Sequence, residues 1–185
     1  MRGMRKNNKG YSLVELIVVI AIISVVGLGA LWSIIMVFSA NAKTCANDIV
    51  GAISECKVTT MSKGQGNVRV IIYRSTNGNI YSELQVREST PGDAWSDTNG
   101  WVAAREAEKI GARKCSVGTT DGADDLPDKA NAWKIYFDRS SGSFLYSTDS
   151  SKPNTSVTEI YVQGGRKNYR IKLEELTGKT ILELQ

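Results

Sequence analysis

Three aspartates close together in the chain have the chemistry best suited to binding a metal ion. Asp121, Asp124 and Asp125 offer the hard oxygen ligands that calcium prefers. Their spacing does not match the twelve-residue calcium loop, which requires alternating oxygen ligands, a glycine at the sixth position and a terminal glutamate. A solvated acidic turn is therefore favoured over a calcium site, and we expect neither a metal nor a cofactor.

Side chains for catalysis are scarce. The sequence contains no histidine, which removes the commonest general base and the commonest zinc ligand. Gly178, Lys179 and Thr180 resemble the end of a phosphate-binding loop, but Leu173 stands where that loop requires another glycine. A hairpin turn is favoured there. The sequence predicts a protein that is not an enzyme; a membrane-anchored extracytoplasmic enzyme or binding module is the alternative.

A basic and aromatic cluster near the end of the chain is the one candidate for binding nucleic acid. Arg166, Lys167 and Arg170 stand beside Tyr161 and Tyr169, a combination that can hold single-stranded DNA by charge and stacking. Three charges give only weak support for DNA as a partner. Ordinary decoration of a strand surface is favoured.

The net charge of +4 is concentrated at the N-terminus. Arg2, Arg5, Lys6 and Lys9 supply four of the 23 basic side chains, which leaves 19 basic and 19 acidic side chains in residues 11–185. A strongly basic head that would attract nucleic acid or anionic lipid is therefore not expected.

The three cysteines allow at most one disulfide within the chain. Cys45 and Cys56 lie on one predicted helix, about 16 Å apart, and cannot bond to each other, because a disulfide requires Cα atoms within about 7 Å. Cys115 can pair with either of them, and packing as buried free thiols is favoured for Cys45 and Cys56. As part of an exposed insertion, Cys115 is expected to react with alkylating reagents unless it is bridged.

The N-terminal region predicts a membrane anchor. Residues 16–38 contain no charge, and this 23-residue run is long enough as a helix to cross a hydrocarbon core of about 30 Å. The basic residues before it predict a single-pass topology with the N-terminus in the cytoplasm and the head outside. Glu15 stands just before the run, and a carboxylate near the bilayer interior requires a partner.

The residues around this glutamate resemble the class III signal of type IV prepilins. The resemblance rests on Lys9-Gly10-Tyr11-Ser12-Leu13-Val14-Glu15-Leu16-Ile17, followed by the aliphatic run. It implies that a prepilin peptidase cuts after Gly10 and methylates Tyr11, and that Glu15 pairs with the N-terminal amine of a neighbouring subunit. In place of the proline found in many such helices, Gly27 and Gly29 would loosen this one.

The resemblance also implies a function. The protein would be a structural subunit that assembles with other pilin subunits into a pilus or pseudopilus, serving a type IV pilus, a type II secretion system or competence DNA uptake. It would first reside in the cytoplasmic membrane, contacting lipid through residues 11–38, and then on the cell surface. Minor pilins of competence systems contact DNA.

The apolar pattern continues beyond the membrane segment. An apolar stripe at helical spacing predicts an amphipathic continuation over residues 39–63, ending near Lys63-Gly64. Its members are Phe38, Ala42, Cys45, Ile49, Ile53 and Cys56.

After residue 63 the period becomes alternating, which predicts β-hairpins around turns at Asn77-Gly78, residues 140–142 and Gly164-Gly165. Residues 88–131 fit neither period and are predicted to form a variable, surface-exposed insertion with a short helix at 101–110. The segment from Gly164 to Gly178 is similar to the end of H-type minor pseudopilins and FimT-like minor pilins.

The predicted fold class is α+β, with a long N-terminal helix packed on an antiparallel β-sheet head. The predicted divisions are a cleaved leader (1–10), a transmembrane and assembly helix (11–38), its amphipathic continuation (39–63) and an extracytoplasmic head (64–185).

Overall fold

A computed structural model describes residues 12–62, 68–87, 100–148 and 158–185. The chain divides into two compact units, Met1–Met36 and Val37–Gln185. One helix, α1 (Leu13–Ser62), contributes to both. Its 50 residues contain no proline, so no backbone donor is missing from the helical hydrogen-bond ladder. The predicted long helix is confirmed; the predicted stop at Lys63-Gly64 lies outside the described residues.

The part of α1 in the second unit is amphipathic, as predicted. Five members of the predicted stripe are buried, with 1% or less of their surface exposed: Ala42, Cys45, Ile49, Ile53 and Cys56. Phe38 is half-buried, and Lys43 and Asn47 on the other faces are exposed. The helix therefore covers the core with one face.

The first sheet contains six strands, which are β1 (Val68–Arg74), β2 (Ile80–Arg87), β3 (Trp101–Ala103), β4 (Glu108–Gly111), β6 (Trp133–Phe137) and β7 (Phe144–Thr148). Their order is β3-β2-β1-β6-β7, and β4 also pairs with β2. The β1–β2 hairpin places Val70 opposite Leu84, and Gly78 in its turn has a φ of 83°, which favours glycine.

The second sheet contains four strands, which are β5 (Ser116–Gly118), β8 (Glu159–Gly164), β9 (Lys167–Glu174) and β10 (Lys179–Leu184). Their order is β10-β9-β8-β5, and all the pairs are antiparallel. Along β8, Ile160 and Val162 are buried while alternate residues are partly exposed, as expected of a strand with one covered face. A short 3-10 helix, Lys129–Asn131, precedes β6.

One hydrophobic core joins α1 to both sheets. It includes Ile49 and Ile53 from the helix, Ile135 from the first sheet and Ile171 from the second. The α+β class and the antiparallel head are thus confirmed.

The region between β2 and β6 differs from its prediction. The short helix predicted at 101–110 is wrong, because β3 and β4 lie there and pair with β2. The described part of the predicted insertion also contributes buried side chains to the core, namely Ile110, Cys115, Val117 and Leu126. These apolar residues are too widely spaced to give a local period, so only strand pairing reveals their burial.

Candidate functional site

The N-terminal end of α1 contains the predicted assembly residue. Helix α1 begins at Leu13, so Ser12 occupies the capping position and Glu15 the third helical position. The Ser12 hydroxyl accepts a hydrogen bond from the Val14 N–H at 3.3 Å, and the Ser12 carbonyl accepts one from the Leu16 N–H at 3.1 Å. The Ser12 hydroxyl therefore satisfies one orphan donor at the helix start, and its carbonyl accepts the first intrahelical hydrogen bond.

This N-terminal cap was not predicted from the sequence, although the sequence contains a recognisable capping pattern. Ser12 and Glu15 have the Ser-x-x-Glu spacing of a capping box, in which a glutamate supports the start of a helix. Glu15 is exposed and lies in the first turn of α1, where the helix dipole favours a negative charge. The predicted processing residues Gly10 and Tyr11 lie outside the described residues.

The following segment exposes apolar side chains around its whole circumference. Leu13, Val25 and Trp32 expose 74%, 72% and 69% of their surfaces. Within the described residues, α1 is the one helix long and apolar enough to cross a membrane. Such a surface requires cover from lipid or from other apolar helices.

Polar groups inside this segment are satisfied by the helix itself. The Ser24 hydroxyl donates to the Ile20 carbonyl at 2.8 Å, and the Ser33 hydroxyl donates to the Gly29 carbonyl at 3.1 Å. A Cβ added to Gly27 or Gly29 would meet no atom within 4 Å. The segment therefore enters an apolar phase without orphan hydroxyls, and no described neighbour requires these glycines.

Two of the three calcium candidates, Asp124 and Asp125, hold their loop in place through hydrogen bonds and an ion pair. Asp124 pairs with Arg74 and also accepts from the Val117 N–H at 3.1 Å. The Asp125 carboxylate accepts from the Thr119 N–H at 2.9 Å and from its hydroxyl at 2.8 Å. Asp121 is exposed. Among residues 12–62, 68–87, 100–148 and 158–185, no three metal-binding side chains converge.

The members of the basic and aromatic cluster near the C-terminal end do not form one exposed surface. Tyr169 is buried with 6% exposure, so its ring cannot stack on a base. Arg170 lies beside Glu159 at 3.8 Å and Glu183 at 2.5 Å, and the Tyr161 hydroxyl donates to Glu159 at 2.6 Å. The structure does not bring these residues together as a stacking platform for single-stranded DNA.

The Gly-Lys-Thr sequence lies at a hairpin, as predicted. Gly178 has a φ of 57° in the turn between β9 and β10, and the Gly178 N–H donates to the Glu174 carbonyl at 2.8 Å. A Cβ at Gly178 would lie 2.0 Å from the Gly142 carbonyl oxygen. The close approach of two turns therefore explains the glycine, and no phosphate-binding role is needed to account for it.

The three thiols are all free and buried. Cys45 and Cys56 were both possible partners for Cys115. The structure places Cys45 next to Cys115, and the two thiols form a hydrogen bond. This contact lowers the pKa of Cys115, while the same contact and burial raise the pKa of Cys45. Cys56 faces the Ile135 carbonyl at 3.8 Å, and burial raises its pKa to about 12.

Comparison with known proteins gives one match, at the N-terminus. Residues 5–31 match the family model described as the prokaryotic N-terminal methylation motif. The chain matches no curated protein and no solved structure. The motif supports a type IV pilin-like prepilin, a membrane-anchored structural subunit rather than an enzyme.

Proposed function

We propose that the protein is a minor pilin or pseudopilin that is cleaved after Gly10, methylated on Tyr11 and assembled through α1 into a filament. The system is a type IV pilus, a type II secretion system or a competence DNA-uptake apparatus. Other pilin subunits and a prepilin peptidase are its partners.

The observation that carries this proposal is the exposed apolar segment of α1, which begins within the methylation motif and continues past it. Apart from Ile35, which is partly buried, the large apolar side chains described from Leu13 to Val37 are between 46% and 74% exposed. Lipid covers them in the single subunit, and neighbouring helices replace lipid in the filament. Close packing against those neighbours, rather than loss of contact with water, stabilises such helix contacts.

The position of Glu15 supports a charged contact between subunits. Its carboxylate sits at the start of the apolar run, where a charge buried in hydrocarbon costs about 2.5 to 3.5 kcal/mol on insertion scales. The amine released at Tyr11 of an adjoining subunit offsets that cost. This pairing sets the register of one subunit against the next.

The divisions proposed for the chain follow the same logic. Residues 1–10 are the leader, 11–38 the transmembrane and assembly helix, 39–63 its continuation and 64–185 the extracytoplasmic head. The four basic residues of the leader hold the N-terminus in the cytoplasm.

The finer assignment is to the H-type minor pseudopilins or FimT-like minor pilins. Its support is the consecutive antiparallel arrangement of β8, β9 and β10, with glycines at φ 65° and 57° in the two turns, Gly165 and Gly178. The sequence similarity of this tail pointed to the same subtype.

Processing provides the direct test. Intact-mass analysis of the protein from its native membrane is expected to show loss of residues 1–10 and one added methyl group on Tyr11. Gly10→Val is expected to abolish cleavage, because the larger side chain should not fit the peptidase.

Gly3→Val is the matched control, since it makes the same change in the leader away from the cut and is expected to be processed normally. An uncut wild-type chain, or a cut after residue 38, would overturn the prepilin proposal.

A further inference from the structure

The second unit has a strongly basic end where the apolar helix leaves it, although basic and acidic side chains nearly balance in residues 37–185 as a whole. Three turns surround α1 at this point: residues 75–79, 112–115 and 164–168. The Lys114 ammonium lies 4.8 Å from the centre of the Phe38 ring, and the Arg166 N–H donates to the Ser39 hydroxyl at 3.3 Å. Phe38 is the last residue of the uncharged run.

The turns also contact one another or the helix directly. A Cβ added to Gly164 would lie 2.7 Å from the Phe38 carbonyl oxygen, and one added to Gly78 would lie 2.6 Å from the Arg113 side chain. A cavity of about 250 Å³ is lined by Phe38, Asn41, Asn79 and residues 112–115. The turns at 75–79, 112–115 and 164–168 therefore lie close to residues 38–43, the first turn and a half of α1 in the second unit.

The basic rim, as we call this surface, consists of Lys43, Arg113, Lys114, Arg166 and Lys167, all exposed. Residues 38–43, 75–79, 112–115 and 164–168 contain no Asp or Glu. Among the residues that the structure describes, no ion pair neutralises any of the five cations.

We propose that the basic rim binds anionic phospholipid headgroups at the outer surface of the membrane that holds the apolar helix. This inference rests on the membrane anchoring proposed above. The occupant follows from the covalent structure, because the rim adjoins the residue at which the uncharged run ends and is thereby held at headgroup level. Cations at that level are attracted to anionic lipid within about one Debye length, or about 8 Å at physiological salt.

The opposite end of the head provides the comparison. Lys57 near the end of α1 donates to the Thr177 carbonyl at 2.7 Å, and Gly142 lies beside Met61. Phe38 and Met61 are about 35 Å apart along the helix axis. Exposed cations at that end, Arg139 and Lys179, serve as the comparison because they lie far from Phe38, the residue at which the uncharged run ends.

Hydrogen exchange of the full chain in bilayers tests the proposal. The chain is incorporated into vesicles of phosphatidylcholine alone or with about 30% phosphatidylglycerol, and exchange of the 112–115 and 164–168 amides is followed on the subsecond scale. We expect anionic lipid to slow that exchange about fivefold or more, since each cation near an anionic surface contributes about a fivefold attraction. Salt at about 0.5 M should remove the effect.

Two variants make the test specific. Changing all five rim residues to Gln is expected to abolish the lipid dependence, whereas Arg139→Gln with Lys179→Gln should leave it unchanged. Inorganic phosphate at millimolar concentration, added to the chain in phosphatidylcholine vesicles, should not slow the amide exchange. Equal exchange in both vesicle types, or equal protection by free phosphate or by single-stranded DNA, would overturn the proposal.

Flotation distinguishes this failure from failure of the proposed anchoring. A chain that does not float with either vesicle type refutes the membrane anchor and the rim proposal together. A chain that floats with both but shows no lipid-dependent exchange refutes the rim proposal alone.

Discussion

Glu15 has two physical roles that a single substitution would confuse. As the third helical residue after Ser12, it is placed to support the start of α1. As a carboxylate at the edge of the apolar run, it is placed to attract the amine of a neighbouring subunit. Glutamine retains the capping part of the first role, because Ser-x-x-Gln also forms a capping box, and loses the charge on which the second role depends.

Glu15→Leu and Glu15→Gln are both expected to be cleaved normally and to enter filaments at least tenfold less efficiently than the wild type. The charge contact is lost in both, and a factor of ten corresponds to about 1.4 kcal/mol. The measurement compares sheared or polymerised protein with membrane-retained protein. Efficient assembly of Glu15→Gln with failure of Glu15→Leu would assign Glu15 to helix capping and contradict the charge contact.

The chemistry of Cys45 and Cys115 depends on the contact between their thiols. Their thiols lie side by side in the core, with exposures of 1% and 3%. The expectation that an unbridged Cys115 is open to alkylation is therefore wrong for the folded head. If the head lies outside the cytoplasm, as proposed above, an oxidised dithiol oxidoreductase there can accept two electrons and two protons from the pair as a disulfide forms.

We predict a Cys45–Cys115 disulfide in protein taken from its native compartment, with Cys56 remaining free. Alkylation after denaturation without reductant should label Cys56 alone, and all three thiols after reduction. Closure of this long loop is expected to stabilise the head by about 4 kcal/mol. Cys56→Ser should leave the disulfide intact, whereas labelling of all three thiols without reductant would contradict the prediction.

At the scale of elements, the close approach of β8 to α1 fixes the helix on the second sheet. Gly164 at the end of β8 faces the helix so closely that an added Cβ would lie 2.8 Å from the Ala42 Cβ. Helix backbone and a short side chain provide this contact, so neither can rotate away. Only glycine permits the observed separation.

Gly164→Ala is accordingly expected to lower the free energy of unfolding of the head by about 1 to 3 kcal/mol, the usual cost of overpacking. Denaturant unfolding of the full chain in detergent, followed by tryptophan fluorescence, measures the change. Gly51→Ala is the matched control: an added Cβ there meets nothing within 4 Å, and alanine in a helix should stabilise by about 0.5 to 1 kcal/mol. Equal stability of Gly164→Ala and the wild type would contradict the close packing.

At the scale of the whole molecule, the two units have different requirements for solvent. Every member of the main hydrophobic core lies between Ala42 and Leu173, within the second unit. The first unit contributes none of these side chains and exposes its apolar surface. The head should therefore not depend on residues 1–36 for its stability.

A truncated chain of residues 37–185 is expected to be a water-soluble monomer that unfolds in one cooperative transition. Size-exclusion chromatography and near-ultraviolet circular dichroism provide the measurement, since Trp133 is 1% exposed and reports fixed packing. Aggregation, or a broad transition with exposed apolar surface, would show that the head needs the anchor to fold.

The sequence by itself determined the features that depend on neighbours along the chain. The methylation motif, the uncharged run, the helical stripe from Ala42 to Cys56 and the hairpins β1–β2, β6–β7 and β8–β9 all follow from local spacing and turn chemistry. The strands at 101–111 did not, because their short and weakly patterned residues become strands only by pairing with β2.

Only the tertiary structure decided which distant residues meet. It places Cys45, and not Cys56, beside Cys115, and it buries Tyr169 where the ring cannot contact a ligand. It also places five cations at one end of the second unit, in which basic and acidic side chains nearly balance in number. A charge total carries no positions, and contacts between residues far apart in sequence leave no local period. These features depend on how the two sheets pack on the helix, since that packing determines which turns lie beside Phe38.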